Sequence, residues 1–153
     1  PVERRKAAKE ALEKFVQSKA RATQRPEAEV RKEVVDDTTA HPYRVEFEDL
    51  PGAPFFRVAQ LGGQRILRIN RAHGFYGALY AAPGSTRVVR AGLEVLLFSI
   101  GECELDAAGN PDKSHFYKVE RAAWSEVLES ALEVLSRFVN HTTVADIDDG
   151  EQP

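Results

Sequence analysis

Strand-type patterning is confined to one short stretch of this chain, and the sequence on either side of it has the periodicity of helix. Tyr43-Arg44-Val45-Glu46-Phe47-Glu48 alternates apolar and charged residues, as a strand with one wet face does. Pro51-Gly52-Ala53-Pro54 reads as a turn. Residues 55–60 and 65–70 then read as two more strands, joined as a hairpin across Gly62-Gly63. Three strands are too few to bury their own apolar side chains, so helices must cover them. The expected fold is α+β: a three-stranded antiparallel meander packed against helices, with a charged helical segment at the N-terminus.

That segment spans residues 2–25, rich in Ala, Leu, Lys, Glu and Arg, with Ala8, Leu12, Phe15 and Val16 in one narrow stripe. Pro26 interrupts it at a position suited to the first turn of a second helix, about 27–35. Such sparsely apolar helices gain stability by lying on something else, and the stripe is the expected contact with a second copy or with the rest of a longer chain. The absence of Met and the start on Pro1 within helical sequence fit a piece of such a longer chain. After the strands, 75–81 reads as a short helix stopped at Pro83-Gly84. Ser85 or Thr86 is the expected cap of a helix carrying Val88, Val89, Leu93, Leu96, Leu97 and Ile100. Beyond a loop at 106–111, Ser114 is the expected cap of a long last helix. Its apolar set is Phe116, Val119, Ala123, Trp124, Val127, Leu128, Ala131, Leu135 and Phe138, with Trp124 expected in the core and Val127, Leu128, Ala131, Leu135 and Phe138 expected to continue its core-facing stripe. The organisation is then a connector at 1–37, an α+β domain at 38–141 and an acidic flexible tail at 142–153.

With 42% hydrophobic and 29% charged residues, the composition is that of a globular chain. The longest apolar run, Leu96-Leu97-Phe98-Ser99-Ile100, is far shorter than the ~18 residues of a membrane span. The charged start Pro1-Val2-Glu3-Arg4-Arg5-Lys6 does not read as a signal peptide. One Cys excludes an internal disulfide and a Cys-built zinc site, and suits a reducing compartment. A cytoplasmic protein without membrane association is expected.

Three constellations bear on chemistry. Asn70-Arg71-Ala72-His73-Gly74-Phe75-Tyr76 lies between strand and helix. Asn70 and His73 there are expected to bind free backbone N–H groups while Phe75 and Tyr76 enter the core. The alternative makes His73 a general base oriented by Asn70, for which no nucleophile is evident. Glu102, Glu104 and Asp106, joined by Asp112 and His115, form either a solvated acidic helix end or a hard-metal site of a small metal-dependent hydrolase. Cys103 among them reads as a buried small hydrophobe rather than a nucleophile. The charge is also blocked: residues 1–49 hold eleven basic and eleven acidic side chains, and 94–153 hold four and thirteen. Residues 50–93 hold only Arg57, Arg65, Arg68, Arg71, Arg87 and Arg90. An Arg-only block is expected to pair with the acidic C-terminal half of the same domain, with the phosphates of a nucleic acid as the alternative. With no phosphate-binding loop, paired His ligands or serine elbow in the sequence, no catalytic residue, metal or cofactor is expected.

The run from Pro54 to Asp106 resembles a region that follows the ATPase part of bacterial GHKL-type proteins, the class of gyrase, MutL, histidine kinases and heat-shock chaperones. Those chains show a hairpin, then Ile-Asn-x-x-His-Pro-Phe-Tyr, then Leu-rich helices; here the matching residues are Ile69, Asn70, His73, Phe75 and Tyr76, with Gly74 in the place of Pro. The resemblance covers about a third of the chain and does not include the Asn and Gly boxes that bind nucleotide. It implies a non-catalytic interaction or dimerisation domain of a larger cytoplasmic ATPase, partnered by its own copy or the rest of the parent chain.

Overall fold

The middle strand organises the sheet. In β3 (Gln64–Asn70) the side chains of Gln64, Ile66, Leu67, Ile69 and Asn70 are all buried, so both of its faces are covered. The structure, a computed structural model, describes residues 2–142, with side chains as far as Leu135 and that of Arg137. The tail expected at 142–153 lies outside the described residues except for Thr142, as does the side chain of Phe138. β1 (Tyr43–Glu48) and β2 (Phe56–Leu61) flank β3 in the order β1-β3-β2. The general α+β expectation holds, while the antiparallel meander does not: β2 runs antiparallel to β3, and β1 runs parallel to it. The physical reason is burial. β3 has apolar residues on both faces and belongs in the centre. β1 carries Arg44, Glu46 and Glu48 on one face and tolerates an edge.

Two helical layers cover the sheet. On one face Leu67, Ile69 and Phe56 pack with Phe55, Phe75, Tyr80 and Leu97. Val45, Val58, Leu128 and Leu132 close this core. It is supplied by α3 (Arg87–Asp106), α4 (Pro111–Thr142) and a single π-type turn, Tyr76–Tyr80. Tyr80 donates to Glu94 across 2.5 Å, and burial, then this bond, pushes its phenol above the usual range. Beside the other face lie α1 (Val2–Thr23) and α2 (Glu27–Ala40), whose Val16, Ala20, Val30 and Val34 form a second core with Leu12 and Leu61. The stripe of Ala8, Leu12, Phe15 and Val16 is thus used within the chain: Ala8 and Val16 are buried, while Phe15 remains exposed. The Gly62 amide donates to the Ala8 carbonyl at 3.1 Å and ties the hairpin tip to α1. Gly62 holds φ at +57°, a turn conformation that glycine adopts without strain.

One expected cap is found, and two other local expectations change. Thr86 caps α3 by accepting from Val89 N–H, whereas α4 begins at Pro111, with Asn110 Oδ1 accepting from Lys113 N–H at 3.0 Å. Pro at the first helical position needs no donor there, and Ser114 instead donates to the Ala107 carbonyl. Trp124 is 37% exposed and does not enter the core, and of its expected stripe Val127, Ala131 and Leu135 are exposed while Leu128 packs inward, because α4 turns Tyr117, Arg121, Ser125, Leu128 and Leu132 inward instead.

α3 crosses β2 at Gly101, which is buried, and a Cβ there would overlap the Val58 side chain. Gly101→Ala is expected to destabilise the fold by about 1–3 kcal/mol through overpacking. Adding Val58→Ala should recover part of that loss, as measured by urea unfolding. Equal stability of Gly101→Ala and the parent would contradict this packing.

Candidate interaction surface

The strand–helix junction is satisfied from within. Asn70 Nδ2 lies 2.7, 3.1 and 3.3 Å from the carbonyls of Leu50, Ala53 and Pro54. Its Oδ1 accepts from the Leu50 and Ala72 amides at 2.9 and 3.1 Å. One side chain therefore clamps the whole loop between β1 and β2 onto the end of β3. His73 Nδ1 accepts from Phe75 N–H at 3.2 Å, and Nε2 faces the Ser125 carbonyl at 3.1 Å. Both ring nitrogens are engaged within the chain, and the Glu129 carboxylate lies 3.8 Å from Nε2. Phe75 is buried in the core, and Tyr76 stacks on Tyr80 with ring centroids 5.5 Å apart.

The Arg block divides between the sheet, where it is ion-paired, and the start of α3. Arg57 on β2 reaches across β3 to hold Glu48 of β1 with a two-pronged contact at 2.8 and 2.5 Å. Arg68 holds Glu46 at 3.0 Å, Arg71 holds Asp49, and Arg65 holds Glu102 at 2.9 Å. The partners come chiefly from residues 46–49, with Glu102 as the C-terminal contribution. Arg87 and Arg90, in the first turn of α3, make no ion pair among the described residues.

The acidic group at the end of α3 is separated by its partners. Glu102 is bound by Arg4 and Arg65, Asp106 by Arg4 at 2.7 Å, and Glu104 by Arg121. Among the described residues no group of carboxylates, His and Cys is placed to hold a metal ion. Cys103 is exposed. Burial raises the Glu102 carboxyl, but hydrogen bonds from Arg4 and Arg65 outweigh it and hold the group below its ordinary range. Asp106 is lowered by its hydrogen bond from Arg4.

What the sequence reading missed is on α4. Opposite its inward face, Phe116, Val119, Ala123, Val127, Ser130 and Val134 follow one another at three- and four-residue steps, and all are exposed. Phe116 is 56% exposed, Val127 65% and Val134 53%. A helix with apolar residues on two opposite faces either lies between two layers of one domain or offers a docking face. Here one face is covered and the other is open. The signal was present as width: the apolar set of α4 occupies too much of the helix circumference for one core-facing stripe. Contiguous exposed apolar surface of this kind marks contact sites rather than ordinary surface.

No helix among the described residues is long and apolar enough to cross a membrane. Compared with known proteins, the chain matches no family model, no curated protein and no solved structure.

Two outcomes are expected from this geometry. Asn70→Ala leaves several buried backbone groups without partners and should cost about 3 kcal/mol in urea unfolding, with an unchanged denaturant slope. A change under about 0.5 kcal/mol would refute the clamp. The second concerns acid. A carboxyl whose folded value lies below its unfolded one stabilises the fold above the unfolded value and loses that effect as pH falls through the folded one. Thermal stability should therefore decline below about pH 5, and Glu102→Gln should flatten that decline. An identical pH profile for the variant, followed by circular dichroism, would rule out this contribution.

Proposed function

We propose that this chain is a non-catalytic interaction domain that presents the outward face of α4 to a protein partner. The observation that carries the proposal is the exposed stripe from Phe116 to Val134 on the side of α4 away from the domain core. Supporting it, the residues considered for chemistry are engaged structurally: both His73 nitrogens are hydrogen-bonded, and Glu102, Glu104 and Asp106 are each held by Arg. The likeness of Ile69, Asn70, His73, Phe75 and Tyr76 to the region beyond a GHKL-type ATPase supports a place in a larger cytoplasmic ATPase-type protein.

The test compares the parent with Val127→Glu at about 1 µM chain, dilute enough to leave weak contacts open. An outward residue free of the core should tolerate the change within about 0.5 kcal/mol, while binding of an apolar-surface dye falls clearly. Loss of several kcal/mol would place Val127 in the core of the chain and remove the proposal.

A further inference from the structure

We infer that the partner of the α4 face is a second copy of this chain, with the two α4 helices packed antiparallel; this rests on the interaction reading above. Its first support is the geometry of the stripe. Six positions from Phe116 to Val134 keep the 3.6-residue period of a straight helix over eighteen residues, about 27 Å of axis. Such a face fits another straight helix lying alongside it.

The second support is charge. Asp112 lies one turn before Phe116, and Arg137 lies about one turn after Val134, both on the same side of α4 as the stripe. The apolar track therefore begins at a carboxylate and ends at a guanidinium. Neither residue makes an ion pair with a described residue. A parallel pair would set Asp112 beside Asp112 and Arg137 beside Arg137. Antiparallel packing about a two-fold axis that crosses the outward face at the level of residues 124 and 125 sets each Asp112 against the Arg137 of the other copy. The same axis brings Phe116 against Val134, and Ala123 against Val127, in both directions at once. A face that is its own complement under rotation is the requirement for a closed dimer.

A single helix pair lies at or below the small end of the ~1,200–2,000 Å² that stable interfaces bury, so the dimer should be weak, with a dissociation constant on the order of 1–100 µM. Trp124, the sole Trp, flanks the centre of this contact and reports on it.

Sedimentation of the chain from about 5 to 500 µM should show a monomer–dimer equilibrium, with Trp emission moving to shorter wavelength as dimer forms. Asp112→Arg or Arg137→Asp alone sets like charges together twice and should raise the dissociation constant about tenfold or more. The double variant Asp112→Arg/Arg137→Asp should return it to within about threefold of the parent. Dimerisation unaffected by the single changes, or not restored by the double change, overturns antiparallel pairing of α4. A chain that stays monomeric at every concentration, yet binds the dye and tolerates Val127→Glu, overturns self-pairing and leaves the interaction reading with a different partner. A chain that loses its fold on Val127→Glu overturns both.

Discussion

Burial of β3 on both faces is the constraint from which the rest of the structure follows. A strand with Leu67 and Ile69 on one side and Gln64, Ile66 and Asn70 on the other cannot sit at a sheet edge or against solvent. It therefore takes the centre, sends β1 and β2 to its two edges, and requires a layer beside each face. The α3–α4 side supplies large aromatic and aliphatic side chains, among them Phe55, Phe75 and Leu97. The α1–α2 side supplies a smaller core of Val and Ala around Val16 and Val30. Arg4 joins the two layers, because it leaves α1 to bind Glu102 and Asp106 on α3.

Polar groups follow the same logic of internal completion. Asn70 and His73 stand where the strand ends and the chain reverses, a place where backbone groups would otherwise lack partners. Together they reach the β1–β2 loop, the start of the π-type turn and α4. The Arg residues of the sheet neutralise carboxylates on β1 or on α3. Exposed pairs of this kind stabilise little one by one. Their effect here is to keep the open part of the sheet charged, paired and poor in apolar surface.

Much of the fold was legible because its signals are local. Alternation marked β1, Gly62-Gly63 marked the β2–β3 hairpin, Thr86 was among the expected caps, and the junction residues were singled out before their partners were known. Strand order was less legible, since alternation says which face is wet but not which strand lies between the other two. The consecutive apolar residues Ile66 and Leu67, which face opposite sides of a strand, were the clue that β3 is covered on both sides. Trp124 went wrong for a related reason. Hydrophobic periodicity identifies a face that avoids water, and α4 has two such faces, so Trp124, which lies at the border between them, was assigned to the inward one. The partners of the Arg block were illegible from charge totals, because pairing depends on register, and register placed Glu46 and Glu48 nearest.

The strand order has a kinetic consequence. β2 and β3 are joined by Gly62-Gly63, so their hairpin closes a very short loop and can form on a microsecond timescale of about 1–10 µs. β1 pairs with β3 only across the whole of β2, as in Tyr43 with Arg65, and α1 meets the hairpin tip from Ala8, farther still along the chain. Contacts that close longer loops form later, once the ordered hairpin offers a template for them. The parallel edge and the N-terminal helix are thus late arrivals to a nucleus built from β2 and β3. An elongating chain has made β1 and α1 well before that nucleus exists, and both must wait for it.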